Sequence, residues 1–305
     1  MTTWNEIKIS AGSHLALKAI QTSGVRLWSW AKDSDGNIGI AIEFRSHFFD
    51  TSNLEKTKEF KIEVNKSVSG AILTILCTNP DLKEQIEKFC LDLVEQTSNI
   101  SNDIEFSNAL KNRINAWCQL FKTGYKKLKH NQILGLAAEL TFVSTWVNKM
   151  NELAEDWVGP LHNNQDFISS KNNLACEVKL SSWDALSVTI SSIGQLDFDG
   201  TLKLIIYPGR IVDKDEDSSV NLTKVVEDLK QLLAPQDFLS VLNKLIIAGY
   251  DEQECEGVYF NIGDPIVYEV TEDFPKITNS NVHKNIVDCN YKLLLKNLES
   301  YKSTI

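Results

Sequence analysis

Two carboxylates and an ammonium, those of Asp166, Glu177 and Lys179, fall within one short stretch of the 305-residue chain, residues 165–180. The stretch reads as a β-hairpin: Asp166 opens the first strand, residues 169–173 make the turn, and residues 174–180 make the second strand. The two-residue period of that second strand sends Leu174, Cys176, Val178 and Leu180 to one face and Ala175, Glu177 and Lys179 to the other. Glu177 and Lys179 are then neighbours on one surface, roughly 7 Å apart along the backbone. A carboxylate from each strand can converge at the mouth of such a hairpin. Two anions about 4 Å apart repel by ~4 kcal/mol in a protein-like dielectric, so the place calls for a cation. Mg²⁺ suits it, because it takes one or two carboxylates and fills the rest of its octahedron with water and phosphate oxygens. An ammonium beside it could hold or help deprotonate a water, or stabilise charge on a scissile phosphate, an arrangement for phosphodiester hydrolysis. Taken alone, Glu-x-Lys is also what the wet face of any strand looks like.

Flanking elements have to position these groups. Residues 131–148 predict a helix in which Glu139 sits in an apolar stripe, with Gly135 and Leu136 one turn before it, Phe142 and Val143 one turn after, and Trp146 beyond. An unpaired carboxylate buried there is expensive. Glu139 therefore either joins a structural salt bridge or belongs to a metal or water site. Gly135, Ala137 and Ala138 are small enough to let this helix pack close to a sheet. After the hairpin come a strand over 186–190, a short helix from Ser191, and a strand over 202–207 ended by Pro208 and Gly209. Ser192 and Gln195 have capping-box spacing, which is the structural reading of Gln195. Helix, three strands, helix, strand is the order of a compact α/β core.

Ahead of this core, strands are predicted over 25–30, 38–44, 60–64 and 71–77. A helix started by Asn79 and Pro80 follows, with Leu82, Ile86, Phe89, Cys90, Leu93 and Val94 on one stripe, and then a second helix over 107–121. These make a small α+β domain, residues 1–121, joined to residues 122–305 without a Gly-, Pro- or Ser-rich linker. Beyond the core, the acidic loop 213–217 reads as solvated, with metal binding left open. Helices over 222–233 and 236–247 are split by Pro235, a hairpin over 258–260 and 266–270 turns around Gly263, and 286–295 reads as strand or helix. This tail is expected to extend or cover the core sheet and shows no chemistry.

Composition narrows the classes. Apolar residues make up 43% of the chain, enough for full cores, and the length favours about two domains. No apolar run is long enough to cross a bilayer and the N-terminus lacks a signal-peptide core, so a soluble cytoplasmic protein is expected. The six cysteines are scattered without a Cys-x-x-Cys and read as reduced core residues. A net charge of −10 counts against a protein that grips nucleic acid by itself, but it is uneven: residues 1–130 hold 17 Lys/Arg against 15 Asp/Glu, and residues 131–305 hold 14 against 26. Lys122, Lys126, Lys127 and Lys129 form the densest positive stretch, just before the helix of Glu139. That stretch is either a solvated loop or a contact to a DNA phosphate backbone. The absence of a phosphate-cradling Gly-rich loop counts against a hydrolase of small phosphoesters.

Taken in order and spacing, Gly135 to Leu140, Trp157 to Pro160, Gln165 to Phe167, Glu177 to Lys179 and Ser191 to Leu196 resemble the motifs of the PD-(D/E)XK nuclease superfamily. They are most similar to its branch of bacterial PD-(D/E)XK motif proteins associated with restriction and phage-defence gene clusters. The 274–277 stretch and the N-terminal sheet are similar too. The resemblance implies an α/β (α+β) fold with a restriction-endonuclease-like αβββαβ core, here in residues 122–305 with a C-terminal extension, preceded by the N-terminal domain. It implies Mg²⁺, with Mn²⁺ able to substitute, held by Asp166, Glu177 and the backbone carbonyl of Val178. Lys179 would be the catalytic lysine that positions the attacking water, Glu139 the helix-borne acid near the metal, and Gln195 an orienting amide. Residue 165 is Gln where the motif has Pro. The expected activity is Mg²⁺-dependent cleavage of DNA in a restriction or phage-defence setting. The alternative is a non-catalytic DNA- or partner-binding subunit of a defence complex. A homodimer and separate NTPase/helicase and methyltransferase subunits are the expected partners, since the chain has no nucleotide-binding loop of its own.

Overall fold

A computed structural model of the chain describes residues 3–22, 24–44, 49–52, 54–55, 57–67, 70–124 and 127–305, and it separates into two units, Met1–Tyr125 and Lys126–Ile305. In the first, alternating apolar residues build a five-stranded antiparallel sheet from β1 (Leu15–Ile20), β2 (Trp28–Asp33), β3 (Ile38–Phe44), β4 (Phe60–Ser67) and β5 (Gly70–Cys77), in the order β1-β2-β3-β5-β4. Helices α1 (Lys83–Thr97) and α2 (Asp103–Thr123) follow. The Asn79 side chain accepts from Asp81 N and starts a 3-10 turn that leads into α1, and Asn102 caps α2 by accepting from Ile104 N and Glu105 N. Ile86, Phe89, Cys90 and Leu93 of α1 and Phe106, Leu110 and Ile114 of α2 are fully buried, and Phe89 packs against both Phe60 and Trp117.

Three features of this unit differ from the expectation. β1 was not predicted because its outward residues give it no clean alternation. β2 starts at Trp28 rather than at residue 25, with Val25 and Leu27 exposed. α2 starts four residues earlier than predicted, where Asn102 supplies the cap.

The second unit opens with α3 (His130–Asn148), then β6 (Phe167–Ser169), β7 (Leu174–Ser181), β8 (Ser187–Ile190), a 3-10 turn (Ile193–Leu196) and β9 (Thr201–Ile211). β10 (Val220–Asn221), α4 (Leu222–Leu232), α5 (Pro235–Ala248), α6 (Glu252–Cys255), β11 (Tyr259–Ile262), β12 (Ile266–Glu269) and β13 (Tyr291–Leu294) complete it. A six-stranded sheet runs β10-β11-β9-β7-β6, with β12 also on β9. β7 and β9 are parallel, from Leu174↔Thr201 to Ser181↔Pro208. One apolar cluster joins Phe142 and Trp146 of α3 and Leu229 and Val241 of α4 and α5 to Phe167, Cys176, Val178 and Ile205 of the sheet. A second cluster joins Ala175, Leu204 and Ile206 to Val188, Ile190, Phe274 and Leu293. The alternation in β7 is what divides it between the two.

Within this mixed α+β unit three expectations are corrected. The third strand, β8, pairs with β13 in a separate two-stranded ribbon rather than joining the main sheet. β11 and β12 do not form a hairpin with each other. They pair side by side with successive parts of β9, at Gly209–Ile211 and at residues 203–206. β9 also continues through Pro208 and Gly209 instead of ending there. Pro208 has no N–H to give and sits at the last β7 register position, where β9 exchanges one neighbour for another, so it breaks no ladder. The ambiguous 286–295 segment holds a strand over Tyr291–Leu294.

Five of the six free cysteines are buried and Cys289 is partly so. Among the described residues no helix is long and apolar enough to cross a membrane.

Candidate active site

Asp166 lies immediately before β6, and its Oδ2 accepts from the Val178 backbone N–H of β7 at 2.8 Å. Its own carbonyl accepts from Val158 N at 2.7 Å and Gly159 N at 3.0 Å, while Trp157 forms a bridge with Phe167. The 157–160 turn is thereby clasped to the hairpin beside Asp166. Trp157 Nε1 reaches across to donate to Glu139 Oε2 at 2.9 Å. Gly159 fits between the two acids: a Cβ there would lie 2.8 Å from Glu139 Oε2 and 2.9 Å from Asp166 Oδ1. Glu139 and Asp166 thus share one small space, brought together by α3 and the hairpin.

Glu177, only 1% exposed, comes in from β7. Lys179 Nζ stands 2.7 Å from Glu177 Oε1 as an ion pair. Apart from that ammonium and the neighbouring Asp166 carboxyl, neither Glu177 oxygen has a hydrogen-bond partner among the described residues. Lys179 Nζ also donates to Gln195 Oε1 at 3.0 Å, and the same oxygen accepts from Ser191 N at 2.6 Å. The capping box expected of Ser192 and Gln195 is therefore not what holds Gln195; its amide caps Ser191 N and points at the lysine. Gln165, at the position where the motif has Pro, is 4% exposed. Its Nε2 donates to Gly194 O at 2.7 Å and Asp197 O at 3.2 Å, tying the hairpin mouth to the turn that carries Gln195.

Crowding three carboxylates sets the local electrostatics. Burial raises Glu139 to about 8, helped by the charge of Asp166 and opposed by the Trp157 N–H and Lys179. Burial also raises Asp166, to about 6, against the Val178 N–H and the ammonium of Lys179. Glu177 is pushed well above the usual carboxylate range by burial and by Asp166, again opposed by Lys179. All three line an open cleft of about 790 Å³ together with Val178, Lys179, Gln195 and, from the first turns of α3, His130 and Asn131. The two proposed readings of Glu139 thus separate: no ion pair fixes it to an arginine or lysine among the described residues, and it faces the other acids.

These residues fit a divalent cation. A buried carboxylate that shares a single ammonium, with two further acids beside it, is what a hard cation would satisfy. Among the described residues no set of three or more His, Cys, Asp or Glu side chains forms a ready cage, and Mg²⁺ requires only one or two carboxylates. Val178, whose carbonyl was a predicted ligand, lines the cleft and gives its N–H to Asp166.

The predicted DNA contacts fare unevenly. Lys122, at the end of α2, is engaged with Glu55. Lys127 and Lys129 are exposed, and Lys126 lies outside the described residues. In the acidic loop, Glu216 pairs with Arg210 at 2.5 Å. The roles of Trp157, Gly159 and Gln165 were not assigned from the sequence, although all three stand in the motif stretches. Their partners lie in other stretches, so no local pattern announces them.

A family model described as "Putative PD-(D/E)XK family member, (DUF4420)" matches residues 1–296. No curated protein and no solved structure matches the chain. The match spans nearly the whole chain, including every residue of the cleft, and so the protein belongs to this PD-(D/E)XK family, whose restriction-endonuclease-like α+β fold the second unit adopts.

Proposed function

We propose that the protein is a Mg²⁺-dependent endodeoxyribonuclease, with Mn²⁺ able to replace Mg²⁺, acting in a bacterial restriction or phage-defence system. The observation that carries this reading is Glu177: a buried carboxylate whose close cation is an ammonium shared with Gln195, gathered with Asp166 and Glu139 around that lysine. Asp166 and Glu177, with the Val178 carbonyl, would hold the ion. When bound, the ion neutralises the acids and polarises a phosphodiester oxygen.

The remaining work falls to side chains. Lys179 is fixed from one side by Gln195 and from the other by Glu177, so its Nζ can orient a water toward phosphorus and offset the charge that grows on the phosphate. As the new P–O bond forms and the bond to the leaving sugar oxygen breaks, the water's proton needs an acceptor. Glu139 lines the same cleft and is suited to take it at Oε1 because its Oε2 is occupied by Trp157. Gln195 and Trp157 keep the two reacting side chains from turning away.

Plasmid nicking with Mg²⁺ or Mn²⁺ tests this. Asp166→Ala and Lys179→Ala should each lower cleavage by about two to four orders of magnitude, the range of a lost acid-base or positioning group. Cleavage that persists in both overturns the reading. The surplus of acidic residues in 131–305 favours a second reading, a non-cutting DNA- or partner-binding subunit. Wild-type protein that binds DNA without Mg²⁺ affinity and never cuts would establish it. A homodimer, and NTPase/helicase and methyltransferase subunits encoded nearby, remain the proposed partners.

A further inference from the structure

The C-terminal strap carries charge of the wrong sign for its surroundings. Residues 131–305 hold 14 Lys/Arg against 26 Asp/Glu, yet residues 274–298 hold Lys276, Lys284, Lys292 and Lys296 against Asp288 alone. Among the described residues none of these four lysines forms an ion pair, whereas the next lysine along, Lys302, is paired with Glu299. Asp288 is already engaged, accepting from Ile193 N at 3.0 Å and Cys289 N at 2.9 Å. Cations gathered on one surface and not paired within the fold raise the local positive potential and are free to meet an external anion.

Lys276, Lys292 and Lys296 line one open groove of about 630 Å³ together with Tyr291, Tyr301 and a single acid, Asp273. Both rings are fixed: Tyr291 OH accepts from Ile277 N at 3.2 Å, and Tyr301 OH donates to Asp273 O at 2.9 Å. The groove also joins the cleft through the backbone. Tyr291 stands opposite Ile190 in the β8–β13 ribbon, and the next residue, Ser191, lines the cleft and donates to Gln195. Lys292 is opposite Thr189, so its backbone is about 8 Å from that of Ser191 by strand spacing and rise. Two further ties, Asp288 to Ile193 N and Asn279 to Asp197 Oδ2 at 3.0 Å, fasten the strap to the turn that carries Gln195.

We infer that this groove binds the phosphate backbone of DNA flanking the scissile bond, with Lys276, Lys292 and Lys296 as the phosphate contacts. This rests on the nuclease reading of the cleft. It places the grip on DNA in the C-terminal strap and resolves how an acidic half of the chain meets a polyanion. Lysines paired with phosphates hold position and carry no sequence readout, so the contact would set affinity rather than specificity.

The test is fluorescence anisotropy of a labelled duplex of about 30 base pairs with Ca²⁺ in place of Mg²⁺, repeated across a salt series so that counterion release can be read from the slope. The full-length wild type is compared with K276E/K292E/K296E and with K292E/K296E, the latter altering only exposed side chains. The triple variant should bind about tenfold or more weakly near 0.1 M salt, with a salt slope flatter by about 2 to 3, and the double variant should show roughly two thirds of the slope change. A structural defect would lower the active fraction without flattening the slope. Unchanged affinity and slope in both variants, or no DNA binding by the wild type, overturn the inference. If wild type and variants differ as expected but Mg²⁺ never supports cutting, the groove stands and the catalytic reading falls. If wild type cuts while the variants bind like it, the reverse holds.

Discussion

A carboxylate that is 1% exposed and has only a shared ammonium beside it is stable in two circumstances: it keeps its proton, or a further cation reaches it. Glu177 has one cation nearby, but Lys179 divides its ammonium between Glu177 and Gln195. The space that would take a second cation is kept open by a missing atom, the Cβ of Gly159, which would come within 3 Å of both Glu139 and Asp166. Gly159→Ala therefore removes no functional group and still displaces one of the two acids. Its backbone is not in the left-handed region, so the substitution acts through that contact and not through conformational strain. We expect Mn²⁺ affinity, read by calorimetry, to fall by about tenfold or more, with cleavage falling at least as far, since a shift of about 1 Å near the chemistry can cost a hundredfold. Wild-type metal affinity in Gly159→Ala would show that the two carboxylates do not act together.

Hairpin and turn are held in register by Gln165, whose amide bridges Asp166's strand to the carbonyls of Gly194 and Asp197. Gln165→Leu would strand these carbonyls at a cost of about 1–3 kcal/mol and loosen the turn behind Gln195. The catalytic turnover number should fall by about tenfold, because Lys179 loses its fixed partner. Metal affinity should stay near that of the wild type, because Asp166 and Glu177 are untouched. Matched losses in turnover and metal affinity would instead place Gln165's effect on Asp166. The sequence predicted the hairpin, the face shared by Glu177 and Lys179, and the helix that presents Glu139, because each rests on a local period. It could not place β8 in a ribbon with β13, or lay β11 and β12 along one long β9, because such pairing depends on partners far away in the chain, as with Ser187 and Leu294. Gln195 shows the same limit at one side chain. Capping-box spacing was a sound local expectation, and the amide was drawn instead to Ser191 N and to a lysine from another strand.

Across the whole molecule, the gathered acids tie stability to pH. Asp166 is raised from 3.8 to about 6 and Glu139 from 4.5 to about 8, so over that window the folded protein holds protons that the unfolded chain has released. Stability from these groups is complete below about pH 4 and is lost as pH rises through about 6 and then about 8. In metal-free buffer, Tm for the transition of the second unit should therefore fall between about pH 5 and pH 8.5. Mg²⁺ acts in the opposite sense. It binds the ionised acids and displaces their protons, so it should raise Tm more at pH 8.5 than at pH 5.5. Glu177→Gln separates the causes. It removes an acid that is costly to ionise, so metal-free Tm should fall less between pH 5 and pH 8.5 than the wild type's, while the rise with Mg²⁺ should shrink or vanish. A wild-type Tm that is flat from pH 5 to pH 8.5, with no pH dependence in the Mg²⁺ effect, would mean that the three carboxylates do not share one site. The nuclease reading of the cleft would then lose its physical basis.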